Sequence, residues 1–357
     1  MQPELASIVD QVRAAHAAGE SLEIRGGATK RFLGEAPRGR PLETRPLSGI
    51  TSYQPTELVV TALCGTPLAE LEAALSERGQ ALAFEPPRFA EGGTVGGMVA
   101  SGLSGPSRAA VGSVRDHLLG ASLLDGRGEL LQFGGQVIKN VAGYDVSRLL
   151  AGSFGTLGLL VDVSLKVLPV APATATLRFA CSEHEALDRL HRWNGLPLPV
   201  NASAWQGGTL WLRLRGAAAA VRAATHALRE EGGEAVSDDL AEALWRGLRD
   251  QRHDFFSGEA PLWRLSLPQT APPVALPGEQ LIEWHGGQRW WRTPAPAATV
   301  RDLAAAAGGH ATLFRAADRS GGVHSPLSPP LASIHRALKQ SFDPAGIFNP
   351  GRMYPDL

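Results

Sequence analysis

The segment from Gly92 to Gly102 (GGTVGGMVASG), continued by Leu103-Ser104-Gly105-Pro106, concentrates glycine and small hydroxyl residues that no ordinary helix or strand favours. Glycine weakens regular elements, so a dense run implies positive φ angles or close approach of the main chain to a ligand. Phosphate suits such a surface, because successive exposed N–H groups form an anion nest and a following helix adds the positive end of its dipole. A second surface of this kind stands at Ile24-Arg-Gly-Gly-Ala-Thr-Lys30, where an apolar stretch runs into glycines flanked by two cations. Two loops point to a diphosphate. Neither has the Walker order of glycine, four residues and Gly-Lys-Ser/Thr, and neither shows a Rossmann fingerprint with its acidic ribose ligand. The alternative is a pair of plain glycine turns, which their occurrence together in one half of the chain disfavours.

Other chemistry-bearing residues are scattered. His285 in Glu283-Trp-His-Gly-Gly287 and Arg289 just beyond it are the candidate catalytic residues, Arg289 as a clamp for a carboxylate; a core histidine and an arginine packed over Trp290 or Trp291 are the competing readings. His310, His324 and Arg315 carry weaker signals. No Ser/His/Asp set, HExxH or paired-carboxylate pattern argues for hydrolysis. Cys64 and Cys181 stand far apart, with no Cys-x-x-Cys and no zinc-spaced Cys/His cluster, so neither a disulfide framework, an iron–sulfur site nor a metal site is expected.

The elements that must position these loops can be read from the patterns. A chain of 357 residues, 44% hydrophobic and 19% charged, has room for two domains with their own cores. A net charge of -1 and the lack of a basic run exclude nucleic acid as an expected partner. The N-terminal residues lack the apolar stretch of a signal peptide and no run approaches a membrane span, so a cytoplasmic chain without direct membrane insertion is expected, any contact with the inner face of the membrane being made through partner subunits. Leu5 to Ala18 reads as an amphipathic helix stopped by Gly19, and Leu22 to Ile24 as the strand before the first glycine loop. Leu58–Leu63 reads as a strand, Pro67–Arg78 as a helix, and Leu118–Leu124 with Leu130–Phe133 as a hairpin turning at Asp125-Gly-Arg-Gly128. Leu159–Leu168 is a buried strand. The Pro/Ala-rich stretch Pro169–Thr176 marks a boundary, after which Trp193, Trp205, Trp211, Trp245, Trp263, Trp284, Trp290 and Trp291 fall in an α+β region with a strand at Thr209–Arg215 and a helix at Ala217–Glu231. A last helix runs to Phe342, ahead of a tail rich in proline and glycine.

Arg25-Gly-Gly-Ala-Thr29, Thr94-Val-Gly-Gly97 with Ala100-Ser-Gly102, Gly152-Ser-Phe-Gly-Thr-Leu-Gly158 and Phe342-Asp-Pro-Ala-Gly-Ile-Phe-Asn-Pro-Gly351 together resemble the vanillyl-alcohol-oxidase-type, or PCMH-type, FAD-linked flavoproteins. Within that superfamily, Lys139-Asn-Val-Ala-Gly-Tyr-Asp145 and Phe84-Glu-Pro-Pro87 resemble the E subunits of bacterial glycolate oxidases (glycolate dehydrogenases).

The resemblance implies an α+β fold: a PCMH-type FAD-binding domain of two α+β subdomains (1–170), a smaller α+β cap (171–320), and a C-terminal helix and tail (321–357) returning to the flavin domain. It implies FAD held by Arg25, Gly26, Gly27, Ala28, Thr29, Lys30, Thr94, Val95, Gly96, Gly97, Ser101 and Gly102, with the backbone at Gly155 and Gly158 against adenine or ribose and Leu160 and Val161 packed beside the ring. Asn349 becomes the tail residue for the polar edge of the isoalloxazine, or else a turn cap before Pro350. Members with covalent flavin place histidine where this chain has Ala28, so noncovalent FAD is expected. The implied activity is oxidation of a small 2-hydroxy acid, glycolate, with electrons passed on in a complex with a larger flavoprotein D subunit and an iron–sulfur F subunit. A self-sufficient 2-hydroxy-acid dehydrogenase and a structural flavin-binding subunit are the other readings.

Overall fold

The computed structural model describes residues 2–135 and 145–357. They divide into two compact units, one of Met1–Leu103, Ser113–Pro169 and Pro326–Leu357, the other of Ser104–Gly112 and Val170–Ser325.

In the first unit, α1 (Pro3–Ala18) buries Ile8, Val9, Val12 and Ala15, the apolar stripe of its sequence, and ends at Gly19 with φ +63°. The strand β1 (Leu22–Arg25) pairs in parallel with β2 (Arg40–Glu43), Leu22 lying opposite Arg40. The tail closes on the other side of β1: Leu22 N–H donates to Ile347 O at 2.7 Å and Asn349 N–H to Leu22 O at 2.9 Å. A five-stranded antiparallel sheet is built from β3 (Ile50–Gln54), β4 (Val59–Leu63), β6 (Leu118–Leu124), β7 (Leu130–Gly134) and β8 (Leu159–Lys166), in the order β3-β4-β8-β6-β7, while β5 (Gln80–Ala81) and β9 (Leu168–Pro169) form a short separate ladder.

All five residues of β4 are buried because the sheet is covered on both faces. Val60, Ala62, Leu160 and Val163 meet α2 (Leu68–Ser76) and α3 (Val95–Ser101) in one core. Leu63, Leu159 and Val161 join Ile8, Leu22 and Phe348 in a second. The hairpin between β6 and β7 turns on Asp125, whose Oδ1 accepts the N–H groups of Arg127 and Glu129 at 2.9 and 2.8 Å. Cys64 and Cys181 are both free and buried.

The second unit is one antiparallel sheet of eight strands: β10 (Ala173–Ala180), β11 (Val200–Gln206), β12 (Thr209–Gly216), β13 (Glu234–Ala235), β14 (Leu262–Ser266), β15 (Glu279–Glu283), β16 (Gln288–Arg292) and β17 (His310–Arg315), ordered β13-β10-β12-β11-β15-β16-β14-β17. One face is apolar and covered by the helices Glu183–Asn194, Ala218–Glu230 and Ala297–Ala306, with Leu177, Leu212, Trp193 and Val221 in one cluster and Trp263, Leu265, Trp291 and Val300 in another. The other face carries polar residues and packs Trp245, whose Nε1 donates to Thr176 Oγ1 at 3.0 Å. No helix among the described residues is long and apolar enough to cross a membrane.

Candidate functional site

The first glycine loop leaves the end of β1 and lies directly against the second. A Cβ on Gly26 would stand 2.5 Å from Thr94 Oγ1, and one on Gly27 would overlap the carbonyl oxygen of Gly92. Glycine is required here so that two main chains can touch. Ala28 then adopts φ +55°, a left-handed conformation uncommon outside glycine. Between Gly26 and Lys30 the backbone N–H groups have no acceptor among the described residues. They line a cleft together with Thr94, Gly97, Ser101, Phe154 and Asn349.

The cleft is cationic. Its lining includes Arg25, Lys30, Arg31 and Arg352 against one carboxylate, Glu23. Glu23 accepts Arg25 Nη2 at 2.7 Å and Arg31 Nε at 2.8 Å. Burial would raise its carboxyl, but those two guanidinium groups outweigh burial and hold it below the usual range. Arg352 donates to the carbonyls of Arg31 at 2.9 Å and of Glu35, which ties the tail to the loop. Burial lowers Lys30 to about 8, and its ammonium lies 5.9 Å from the Phe89 ring centroid. A dianionic diphosphate would meet donor N–H groups and unneutralised positive charge here.

Of the residues expected from the sequence, Arg25, Gly26, Gly27, Ala28, Thr29, Lys30, Thr94, Gly97, Ser101 and Asn349 line this cleft. Val95, Gly96, Gly102, Gly155, Gly158, Leu160 and Val161 are not among its lining residues. The segment expected as an irregular loop contains a helix, α3, capped by Thr94 Oγ1 accepting from Gly97 N–H at 3.2 Å. The N–H groups of Val95 and Gly96 are spent on Thr66 O and Cys64 O at 2.9 and 2.7 Å, so the second loop offers fewer donors than its glycines suggest. Gly96 lets α3 approach the end of β4, since a Cβ there would lie 2.7 Å from Cys64 Cβ. Gly102 is the left-handed C-cap of α3, and Gly158 abuts Leu124 O. Leu160 and Val161 are buried in the two cores.

Asn349 acts as a clasp. At φ +41°, its Oδ1 accepts Ile24 N–H at 2.8 Å and its Nδ2 donates to Phe154 O at 2.6 Å. A Cβ on Gly155 would fall 2.7 Å from that Nδ2, which accounts for glycine at 155. Both functions of the amide are thus used in joining β1, the Phe154 turn and the tail.

His285 and Arg289 belong to the second unit. His285 is buried, with φ +57°; its N–H donates to Ser203 Oγ at 3.0 Å, and burial lowers its imidazole to about 4, leaving it neutral. Arg289 is fully buried and donates to the carbonyls of Gly286, Pro272 and Ala271. These carbonyls hold the guanidinium inside the packed face of the sheet, where it is not presented as a clamp. The motif Lys139–Asp145 lies outside the described residues except for Asp145, whose Oδ1 accepts from Ser147 Oγ.

Sequence reading did not single out Glu23, Arg31, Phe154 or Arg352. Arg31 follows Lys30, Phe154 precedes Gly155 and Arg352 follows the Asn349-Pro-Gly tail motif, so each adjoins a segment that the sequence does single out.

A family described as "FAD binding domain" matches residues 4–134. The glycolate oxidase subunit GlcE of Escherichia coli (strain K12) is 47% identical over 351 residues, covering 98% of this chain and 97% of that protein. A D-lactate dehydrogenase of Archaeoglobus fulgidus is 30% identical over 148 residues, 41% of this chain and 33% of that protein. Among solved structures, alkyldihydroxyacetonephosphate synthase superposes with a TM-score of 0.66 at 15% identity, over 97% of this chain and 75% of that one, a likeness of fold.

Proposed function

Because the chain belongs to the glycolate oxidase subunit GlcE family, we propose that it is the FAD-carrying E-type subunit of a complex that oxidises glycolate to glyoxylate. The observation that carries the cofactor reading is the cleft: donor N–H groups from Gly26 to Lys30, four cations around them, and a contact between the two loops that only glycine at 26 and 27 allows. Arg25 to Lys30, with Thr94, Gly97 and Ser101, would hold the diphosphate, and Asn349 would fix the wall formed by β1 and Phe154. The first unit is then the flavin domain and the second the cap.

The FAD is noncovalent in this reading. Ala28 has no side chain able to bond the ring, and the cleft lining contains no histidine, cysteine or tyrosine. When bound, a flavin supplies a two-electron acceptor for the hydride from the substrate carbon. Two buried cysteines cannot ligate an iron–sulfur cluster, so electrons would leave through another chain, consistent with an F-type iron–sulfur subunit and a D-type flavoprotein as partners. Such a complex would work in the cytoplasm, meeting the membrane only through its partners.

Purifying the full chain alone and recording its visible spectrum before and after anaerobic glycolate tests this reading. Bound flavin that bleaches only after the partner subunits are added supports it. Complete bleaching by the chain alone would instead make it a self-sufficient dehydrogenase, and absence of flavin would overturn the proposal.

A further inference from the structure

The polar face of the eight-stranded sheet holds several ionic groups, nearly all of them with partners. Arg213 donates to Asn201 Oδ1 at 2.7 Å, and Arg292 to the carbonyls of Phe255 and Ser257. Glu283 accepts from Gln288 and Trp290 at 3.0 and 2.6 Å. Arg264 differs. It sits in the middle of β14, opposite Trp290 on one side and Thr312 on the other, and has neither a hydrogen-bond acceptor nor a carboxylate among the described residues.

The charges that act on Arg264 are of its own sign. Burial, with Arg108 adding to it, lowers its guanidinium to about 10, and burial followed by Arg264 lowers His310. It therefore stays charged at neutral pH. Arg108 is held in place by a specific device: its guanidinium lies 4.4 Å from the Trp284 ring centroid, and Trp284 Nε1 donates to Gly105 O at 3.0 Å. Trp284, His285 and Gly286 adopt φ angles of +54°, +57° and +97° in succession, a strained turn of the kind that persists where the surroundings over-determine it. A partly buried, unpaired guanidinium beside a second one is unfavourable unless an anion completes it.

We propose that Arg264, with Arg108 beside it, is the receptor of the second unit for a small carboxylate anion. The planar fork of a guanidinium matches a carboxylate in two parallel hydrogen bonds, and a second fixed cation adds charge without needing a flexible side chain. The choice of carboxylate over phosphate rests on the hydroxy-acid reading given above; the anion site itself does not.

Calorimetric titration of the full chain with oxalate and with glycolate tests this, with flavin content measured on the same samples. Arg264→Gln is expected to weaken oxalate binding at least about tenfold, the worth of one charge-assisted hydrogen-bonded pair. Arg264→Lys keeps the charge, is expected to weaken it severalfold, and carries the test if the glutamine variant does not fold. Arg222→Gln, an exposed change of equal charge, should leave binding as it is. Equal oxalate affinity in wild type and Arg264→Gln, equal losses in Arg264→Gln and Arg222→Gln, or no oxalate binding to the wild type overturns the proposal. Inorganic phosphate binding more tightly than oxalate overturns the carboxylate assignment. Flavin-free protein that still binds oxalate through Arg264 would count against the cofactor reading and leave this one standing.

Discussion

Gly27 packs so closely against Gly92 that any side chain at 27 would overlap the Gly92 carbonyl oxygen. That contact joins two loops 65 residues apart into one surface, and it is why the cleft exists. Gly27→Ala is therefore expected to separate the loops, costing about 1–3 kcal/mol of stability by overpacking and most of the FAD affinity. Gly135→Ala, which meets nothing within 4 Å, serves as the control and should change neither. Thermal unfolding and FAD titration of both variants check this.

Asn349 provides a second expectation. Asn349→Ala leaves the Ile24 N–H and the Phe154 carbonyl without the partners they have now, at a cost of about 1–3 kcal/mol. Asn349→Asp keeps the acceptor for Ile24 but sets an oxygen against Phe154 O, so it should rescue little. If either variant bound FAD and unfolded like wild type, the clasp would carry no weight.

Glu23 should leave a signature in acid. Its folded carboxyl lies below its unfolded value, so its stabilising contribution is present above the unfolded value near 4.5 and is lost as pH falls through the folded one. Glu23→Gln is expected to flatten the acid limb of the stability curve below about pH 4.5 and to loosen Arg25 and Arg31. Denaturant midpoints between pH 3 and 7 for the two proteins provide the comparison.

Lys30 should make cofactor binding depend on alkaline pH. In the free chain its folded value is about 8, below the ordinary lysine value, so the protonated form is disfavoured by burial and is lost first as pH rises through 8. A diphosphate favours the protonated form and would take up a proton above that pH. FAD affinity should fall as pH rises from 8 to 10 in wild type, and Lys30→Met should bind more weakly at pH 7 with little of that slope.

Much of the scaffold was legible because its signals are local. The stripe Ile8, Val9, Val12 and Ala15 sets α1, and Asp125-Gly-Arg-Gly128 sets the hairpin with few alternatives. The helix α3 was not legible. Glycine at 96 and 97 opposes helix formation, and the reason for Gly96, the nearness of Cys64, lies in the turn after β4, more than 30 residues earlier. The glycine loops announced an anion site, yet how donors are shared between them follows from hydrogen bonds to Thr66 and Cys64 that no motif encodes. Arg352 escaped for the same cause, since it reaches a carbonyl 321 residues away. Arg289 was visible as a cation, but its burial against three carbonyls depends on how the turn at Gly286 and the loop at Ala271 fold.

If the cleft between these loops holds FAD by its diphosphate, FAD and riboflavin, which has the same ring and no phosphate, must differ sharply in affinity. Fluorescence titration of the flavin-free chain is expected to give one FAD per chain, with riboflavin bound at least about a hundredfold more weakly, as expected for loss of two or more charge-assisted contacts. Equal affinity for the two, or FAD bound as well by Gly27→Ala as by wild type, would contradict it.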